Sequence, residues 1–263
     1  MDIIKISGKR EAFNPRKIER TCIKAGASKT VAQEVAEEVE KQIYSGMPTK
    51  KIYRLTLQLL RRKTPAVAER YTLKRAIMEL GPAGFLFEKY IAALLKEYGY
   101  QAKVHTFVKG TCVTHEIDVI AKKEKSYMIE CKYHNELGIY TDLKTVMYTY
   151  ARFLDVKQFD QGWLICNTNC SNQALAYAEC VGLKIMSWSY PQENLAHMIG
   201  MKKLYPLTIL RNITPSLRNT FFDAEILMVK DLVSMDIKTL QRKTKLSEPL
   251  LVKIVTEARK ILF

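Results

Sequence analysis

The sequence predicts an α/β protein in three parts: a mostly helical N-terminal segment, a central domain around a mixed sheet, and a helical C-terminal segment. Three observations carry this. Apolar residues recur at helical spacing through most of the first 80 positions, strands and helices intermingle from Phe85 to Trp188, and helical patterns return after Pro191. The breaks fall at Gly81-Pro82-Ala83-Gly84 and near Tyr205-Pro206, giving expected domains of residues 1–81, 82–200 and 201–263.

In the first segment, Ile3 to Ile6 and Glu11 to Phe13 form a strand pair around Ser7-Gly8-Lys9. Asn14-Pro15 supplies an N-cap and a first-turn proline for a helix through Ile18, Cys22 and Ile23. Ser28 or Thr30 starts a second helix ending near Gly46-Met47-Pro48, Thr49 caps a third, and Thr64-Pro65 opens a fourth that runs to Leu80. The central segment reads as helix 85–97, strands 101–109, 116–121 and 127–133, helix 142–154, strand 162–166, helix 171–181 and strand 183–188.

A composition 48% hydrophobic and 26% charged is that of a folded chain. The apolar runs are too short to span a bilayer, so no membrane partner is expected. The start, Met1-Asp2-Ile3-Ile4-Lys5, lacks signal-peptide features, and a cytoplasmic location is expected. Six cysteines contain no CxxC pair and read as reduced. The net charge of +15 points to a polyanion such as DNA. It is unevenly spread: residues 1–82 carry 18 basic against 9 acidic side chains, 83–200 carry 12 against 12, and 201–263 carry 12 against 6. The basic flanks would attract phosphate, leaving the neutral middle for chemistry.

The stretch from His115 to Tyr133 places two apolar-alternating runs around a charged turn, which predicts a β-hairpin. A turn centred near Glu124 sets Asp118 opposite Glu130 and Glu116 opposite Lys132. Asp118, Glu130 and Lys132 then share one face, while Ile117, Val119, Ile129 and Cys131 face the core. Two facing carboxylates repel, which a hard divalent cation would resolve. Mg2+ or Mn2+ there would activate water and stabilise charge on phosphorus, with Lys132 positioning the water or offsetting phosphate charge. A solvated charged hairpin is the plain structural alternative.

The Asp118 and Glu130-Cys131-Lys132 pattern resembles the core of the PD-(D/E)xK nuclease superfamily, and the wider context resembles its Mrr-like restriction endonucleases. Gly84 to Tyr100 is similar to their first helix, which carries a glutamate near the metal, here Glu88; Gly162 to Cys166, Ser171 to Ala178 and Val181-Gly182-Leu183 match their last strand, helix and strand. The resemblance covers about residues 83–190 and implies a DNA endonuclease with Asp118, Glu130, Lys132 and Glu88 catalytic, and Asp118, Glu130 and Glu88 as metal ligands. Where many relatives have a glycine before the aspartate, this chain has His115-Glu116. Glu116 either adds a ligand or pairs with Lys132; His115 reads as structural in preference to a proton donor.

Ile4-Lys5, Gly8, Glu11, Phe13-Asn14, Lys17-Ile18, Val67-Ala68, Tyr71 and Lys74-Arg75 resemble the ATP-cone, a regulatory nucleotide-binding module. The resemblance implies ATP or dATP as effector, with Lys5, Lys17 and Lys74 or Arg75 on the triphosphate, Glu11 and Asn14 on base or ribose, and Gly8 in the turn. Lys5-Ile6-Ser7-Gly8 lacks the family's usual arginine, and a basic DNA-binding module is the alternative. The C-terminal Ala224 to Leu240 and Leu246 to Arg259 resemble a helix-hairpin-helix without its glycines. Ser247 would cap the last helix, and Lys243, Lys245 and Lys253 would follow a DNA backbone, unless the segment mediates assembly. The combined expectation is a Mg2+-dependent, nucleotide-responsive DNA endonuclease working as a homo-oligomer, since one such centre cuts one strand. The rival is a nucleotide-responsive regulator with a non-cutting nuclease fold.

Overall fold

The computed structural model describes residues 1–5, 7–81, 84–136 and 138–263. Pro82 and Ala83 of the first expected boundary, and Ile6 of the first expected strand, lie outside the described residues. The chain forms two compact units, Met1–Arg75 with Ile209–Phe263, and Ala76–Thr208.

In the first unit, β1 (Asp2–Ile4) pairs antiparallel with β2 (Arg10–Ala12) and parallel with β3 (Met47–Pro48). Asn14 caps α1 (Pro15–Lys24) by accepting from the Arg16 amide at 3.0 Å, and Ser28 caps α2 (Lys29–Glu40) by accepting from Val31. The second helix ends at Glu40, short of Gly46, and Met47 joins the sheet beside Ile3. Before α3 (Thr49–Lys63) the cap position is Pro48, which has no side-chain acceptor, so Thr49 is helical and does not cap. The expected fourth helix divides into α4 (Pro65–Tyr71) and α5 (Leu73–Met78) at Thr72, whose hydroxyl donates to Glu69 O at 2.6 Å and competes with the helical ladder. Cys22, Ala32, Val35, Val39, Leu60 and Ala68 form the buried centre.

The C-terminal part of this unit holds further helices. They are preceded in sequence by the central elements: α6 (Phe85–Glu97), β4 (Gln101–Lys109), β5 (Thr114–Lys122), β6 (Ser126–Lys132), β7 (Tyr140–Thr141), α7 (Leu143–Val156), β8 (Gln161–Cys166), β9 (Asn169–Cys170), α8 (Asn172–Val181), β10 (Lys184–Met186) and α9 (Leu195–Met201). Then follow α10 (Pro215–Asp223), α11 (Val229–Ser234), α12 (Ile237–Thr244) and α13 (Glu248–Leu262). Lys245 closes α12 in the left-handed region at φ 60°, the conformation a hairpin glycine would adopt. Ser247 stands at the N-cap of α13 but makes no side-chain cap bond. α13 packs on α4: Arg70 Nη1 donates to Ile261 O at 3.4 Å, and buried Glu69 pairs with Arg211.

The second unit is built on a five-stranded mixed sheet in the order β10-β8-β6-β5-β4. β4, β5 and β6 run antiparallel; β6, β8 and β10 run parallel, as crossovers through α7 and α8 require. Gly162 lets the strand pack closely, since a Cβ there would meet the Leu183 Cδ1 methyl at 2.6 Å and Phe153 at 3.0 Å. β7 and β9 form a separate short pair that sequence periodicity does not reveal. No helix among the described residues is long and apolar enough to cross a membrane.

Candidate active site

The β5–β6 ladder runs from Lys122↔Ser126 to Val119↔Ile129, the register a turn near Glu124 dictates. It stops there. Asp118 and Glu130 would be the next pair, but Asp118 Oδ2 instead accepts the Cys131 amide at 2.7 Å. The strands therefore part where the two carboxylates stand, and the freed amide is satisfied by the aspartate. Ile117, Val119, Ile129 and Cys131 are buried, as the alternation requires. Lys132 lies at the end of β6, exposed and beside Cys166 of β8. Because the ladder has ended, Glu116 does not pair with Lys132; it is exposed and its carboxylate lies 3.4 Å from His105 Nδ1.

Glu88 enters from the first turn of α6. Its Oε2 lies 3.2 Å from His105 Nε2, within ion-pair distance but out of line for a hydrogen bond. Burial and then the nearby Asp118 push the Glu88 carboxyl up to about 7. Burial and Asp118 likewise push Glu130 up to about 7, against the lowering influence of Arg152. Asp118 is raised by burial, against the Cys131 amide and Arg152. Glu88, Asp118 and Glu130 are thus brought together as three carboxylates each raised by desolvation, with Asp118 raising the other two.

Two residues of this cluster escape the sequence reading. His105 adopts φ 49°, breaks the β4–β5 ladder opposite Asp118, and stacks on Phe85 with ring centres 4.6 Å apart. A positive φ in a non-glycine residue inside a strand is costly and concentrates at functional sites. Arg152 of α7 donates to Glu130 Oε2 and to Glu116 O. Its signal was available: the inward stripe Val146, Thr149, Arg152, Val156 carries one charged residue. His115 Nε2 donates to Asp155 Oδ2, 2.8 Å away, and holds Asp155 well below the usual carboxylate range.

In the other unit, Lys5 Nζ lies 2.7 Å and Lys17 Nζ 3.1 Å from opposite oxygens of Glu11, whose pKa they lower. Gly8 takes φ 79° in the turn between β1 and β2. Asn14 is engaged in capping α1. Arg75 lies over the Tyr53 ring at 5.0 Å, and burial lowers the Lys74 ammonium.

Comparison with known proteins assigns the three segments. The ATP cone domain family matches residues 1–79, the restriction endonuclease family matches 83–197, and an AF1548-like C-terminal family matches 205–262. An uncharacterized protein of Archaeoglobus fulgidus is 43% identical over 176 residues, covering 65% of this chain and 99% of that protein. A second, short uncharacterized protein of the same organism is 51% identical over 37 residues, 14% of this chain and 79% of its own length. The crystal structure of AF1548, a protein of unknown function, superposes with a TM-score of 0.62 at 40% identity, covering 68% of this chain and 98% of that one. The chain therefore belongs to the AF1548-like family, and it carries an ATP-cone domain joined to a restriction-endonuclease domain.

Proposed function

We propose that the protein is a divalent-metal-dependent DNA endonuclease, with ATP or dATP at the cone as effector. The observation that carries this is the enclosure of Glu88, Asp118 and Glu130 together, each raised by burial and by its neighbours. A fold gains nothing by desolvating three mutually repelling acids unless a cation offsets them. Among the described residues no three His, Cys, Asp or Glu side chains form a ready-made metal cage, and Asp118 and Glu130 each accept from a protein donor. An all-oxygen set of few carboxylates suits Mg2+ or Mn2+, which keep waters and take phosphate oxygens as further ligands. Asp118 and Glu130 would hold such an ion, with Glu88 alongside. When bound, it supplies Lewis-acid stabilisation of phosphorus and lowers the pKa of water.

This chain's own groups do the rest. Lys132, exposed at the strand end beside Glu130, meets a phosphate oxygen or orients the attacking water. The basic surplus of the terminal segments, +9 in residues 1–82 and +6 in 201–263, draws the duplex in without reading its sequence. Lys5 and Lys17 of the cone, both paired with Glu11, would take the triphosphate. Double-strand cutting would then require a homo-oligomer with two such centres. Incubation of supercoiled plasmid with protein, with and without Mg2+ or Mn2+ and ATP, tests the reading. Metal-dependent nicked and linear products are expected; DNA binding without cutting would favour the non-cutting regulator.

A further inference from the structure

Arg152 is 8% exposed, and its guanidinium is directed at three separate groups. Nη1 donates to Glu130 Oε2, Nη2 to the backbone oxygen of Glu116, and Nε points at His115 Nδ1 at 3.4 Å. His115 is itself anchored through Nε2 to Asp155 Oδ2 at 2.8 Å. Asp155 in turn accepts the Cys112 amide at 2.7 Å and the Val113 amide at 3.3 Å, fixing the β4–β5 connection. The Arg152 guanidinium also lies 5.4 Å from the Tyr148 ring centre. A planar fork gripped at all of its nitrogens has little freedom to swing. It leaves one Glu130 oxygen engaged and the other, Oε1, for a further partner.

Resting on the metal-dependent nuclease reading, we propose that Arg152 is a positioning residue for that site: it clamps Glu130 through Oε2 so that Oε1 is presented beside Asp118 to the divalent cation. The competing possibility is that Arg152 is an internal counter-ion occupying the place of the metal. The two predict opposite signs. A counter-ion, once removed, leaves a more negative site that binds metal more tightly, by Coulomb attraction alone. A clamp, once removed, leaves a mobile ligand, and loss of a group that orients a metal ligand weakens affinity about 10- to 100-fold.

The test is calorimetric titration of Mn2+ into the full chain and into Arg152→Met and Arg152→Lys, well above the pH range to which Glu130 is raised. Thermal melts establish that each variant is folded. Arg152→Met should bind Mn2+ about 10- to 100-fold more weakly. Arg152→Lys retains the charge but cannot reach Glu130, Glu116 O and His115 at once, so it should recover only part of the loss. If the Met variant fails to fold, the Lys variant decides. Wild-type or tighter affinity in either folded variant would overturn the inference. Wild-type protein that takes up no Mn2+ would overturn the metal reading beneath it as well, which separates the two failures.

Discussion

In the nuclease domain three acids are enclosed, Arg152 lowers only Asp118 and Glu130, and Glu88 and Glu130 still rise to about 7. In the cone the balance is reversed: Glu11 stands between Lys5 and Lys17, accepts from both, and falls below its ordinary value. The first site carries an electrostatic cost that a divalent cation would relieve. The second is paired near the surface, where ion pairs contribute little, and the triphosphate proposed for Lys5 and Lys17 would compete with Glu11 for them. One site is a buried cluster of raised acids, whereas the other is a single lowered glutamate between two lysines.

The sharpest way to separate positive charge from metal holding is Lys132. Lys132→Ala should lower cleavage by about 10^3-fold, the scale of a lost electrostatic contact to the reacting group, while Mn2+ affinity by calorimetry stays within about threefold. A parallel loss of both would place Lys132 in metal binding instead.

The cost of the acidic cluster is measurable without any DNA. Glu88 titrates higher folded than unfolded, so its contribution to stability is full below its unfolded pKa of about 4.3 and is lost as pH rises through about 7. Metal-free protein should therefore be less stable at high pH. Glu88→Gln should recover on the order of 1–2 kcal/mol there and flatten the dependence across that window. Urea titrations on either side of the window check this; an equal or larger pH dependence in the variant would contradict it.

For the cone, Glu11→Gln should strengthen ATP binding several-fold by releasing Lys5 and Lys17, and Lys5→Ala or Lys17→Ala should weaken it. Calorimetry with ATP and dATP decides, and weaker binding in Glu11→Gln would place that carboxylate on the nucleotide. The smallest effect is expected at the C-terminal lysines. Deleting the whole segment would expose the α4 surface that α13 covers, so single neutralisations are the cleaner probe. Lys243→Gln, Lys245→Gln or Lys253→Gln should each reduce the salt slope of DNA binding by at most about 0.9. An unchanged slope in all three would point to assembly.

How much of this was legible in the sequence depended on whether the determinant was local. The hairpin register up to Val119↔Ile129, the helix over 85–97 and the Asn14-Pro15 start follow from adjacent residues and are where spacing put them, whereas the expected Asp118–Glu130 pairing is replaced by the Cys131 amide on Asp118. His105 was hidden because a reversed φ within a strand leaves no mark on period-two alternation. Arg152 joins Glu130 across 22 positions, and only its intrusion into an apolar stripe betrays it. The packing of α13 on α4 rests on Arg70 and Ile261, 191 positions apart, beyond the reach of any local pattern. The two-residue strand Met47–Pro48 is too short to show periodicity at all.

If Asp118 and Glu130 hold a divalent cation used to cut DNA, as proposed, the same isosteric variants report on both metal binding and cutting. Asp118→Asn and Glu130→Gln should each weaken Mn2+ binding by at least about tenfold and reduce plasmid cleavage by about 10^3-fold, with the fold intact by circular dichroism. Folded Asp118→Asn that still nicks plasmid at the wild-type rate, or binds Mn2+ as the wild type does, would contradict the account.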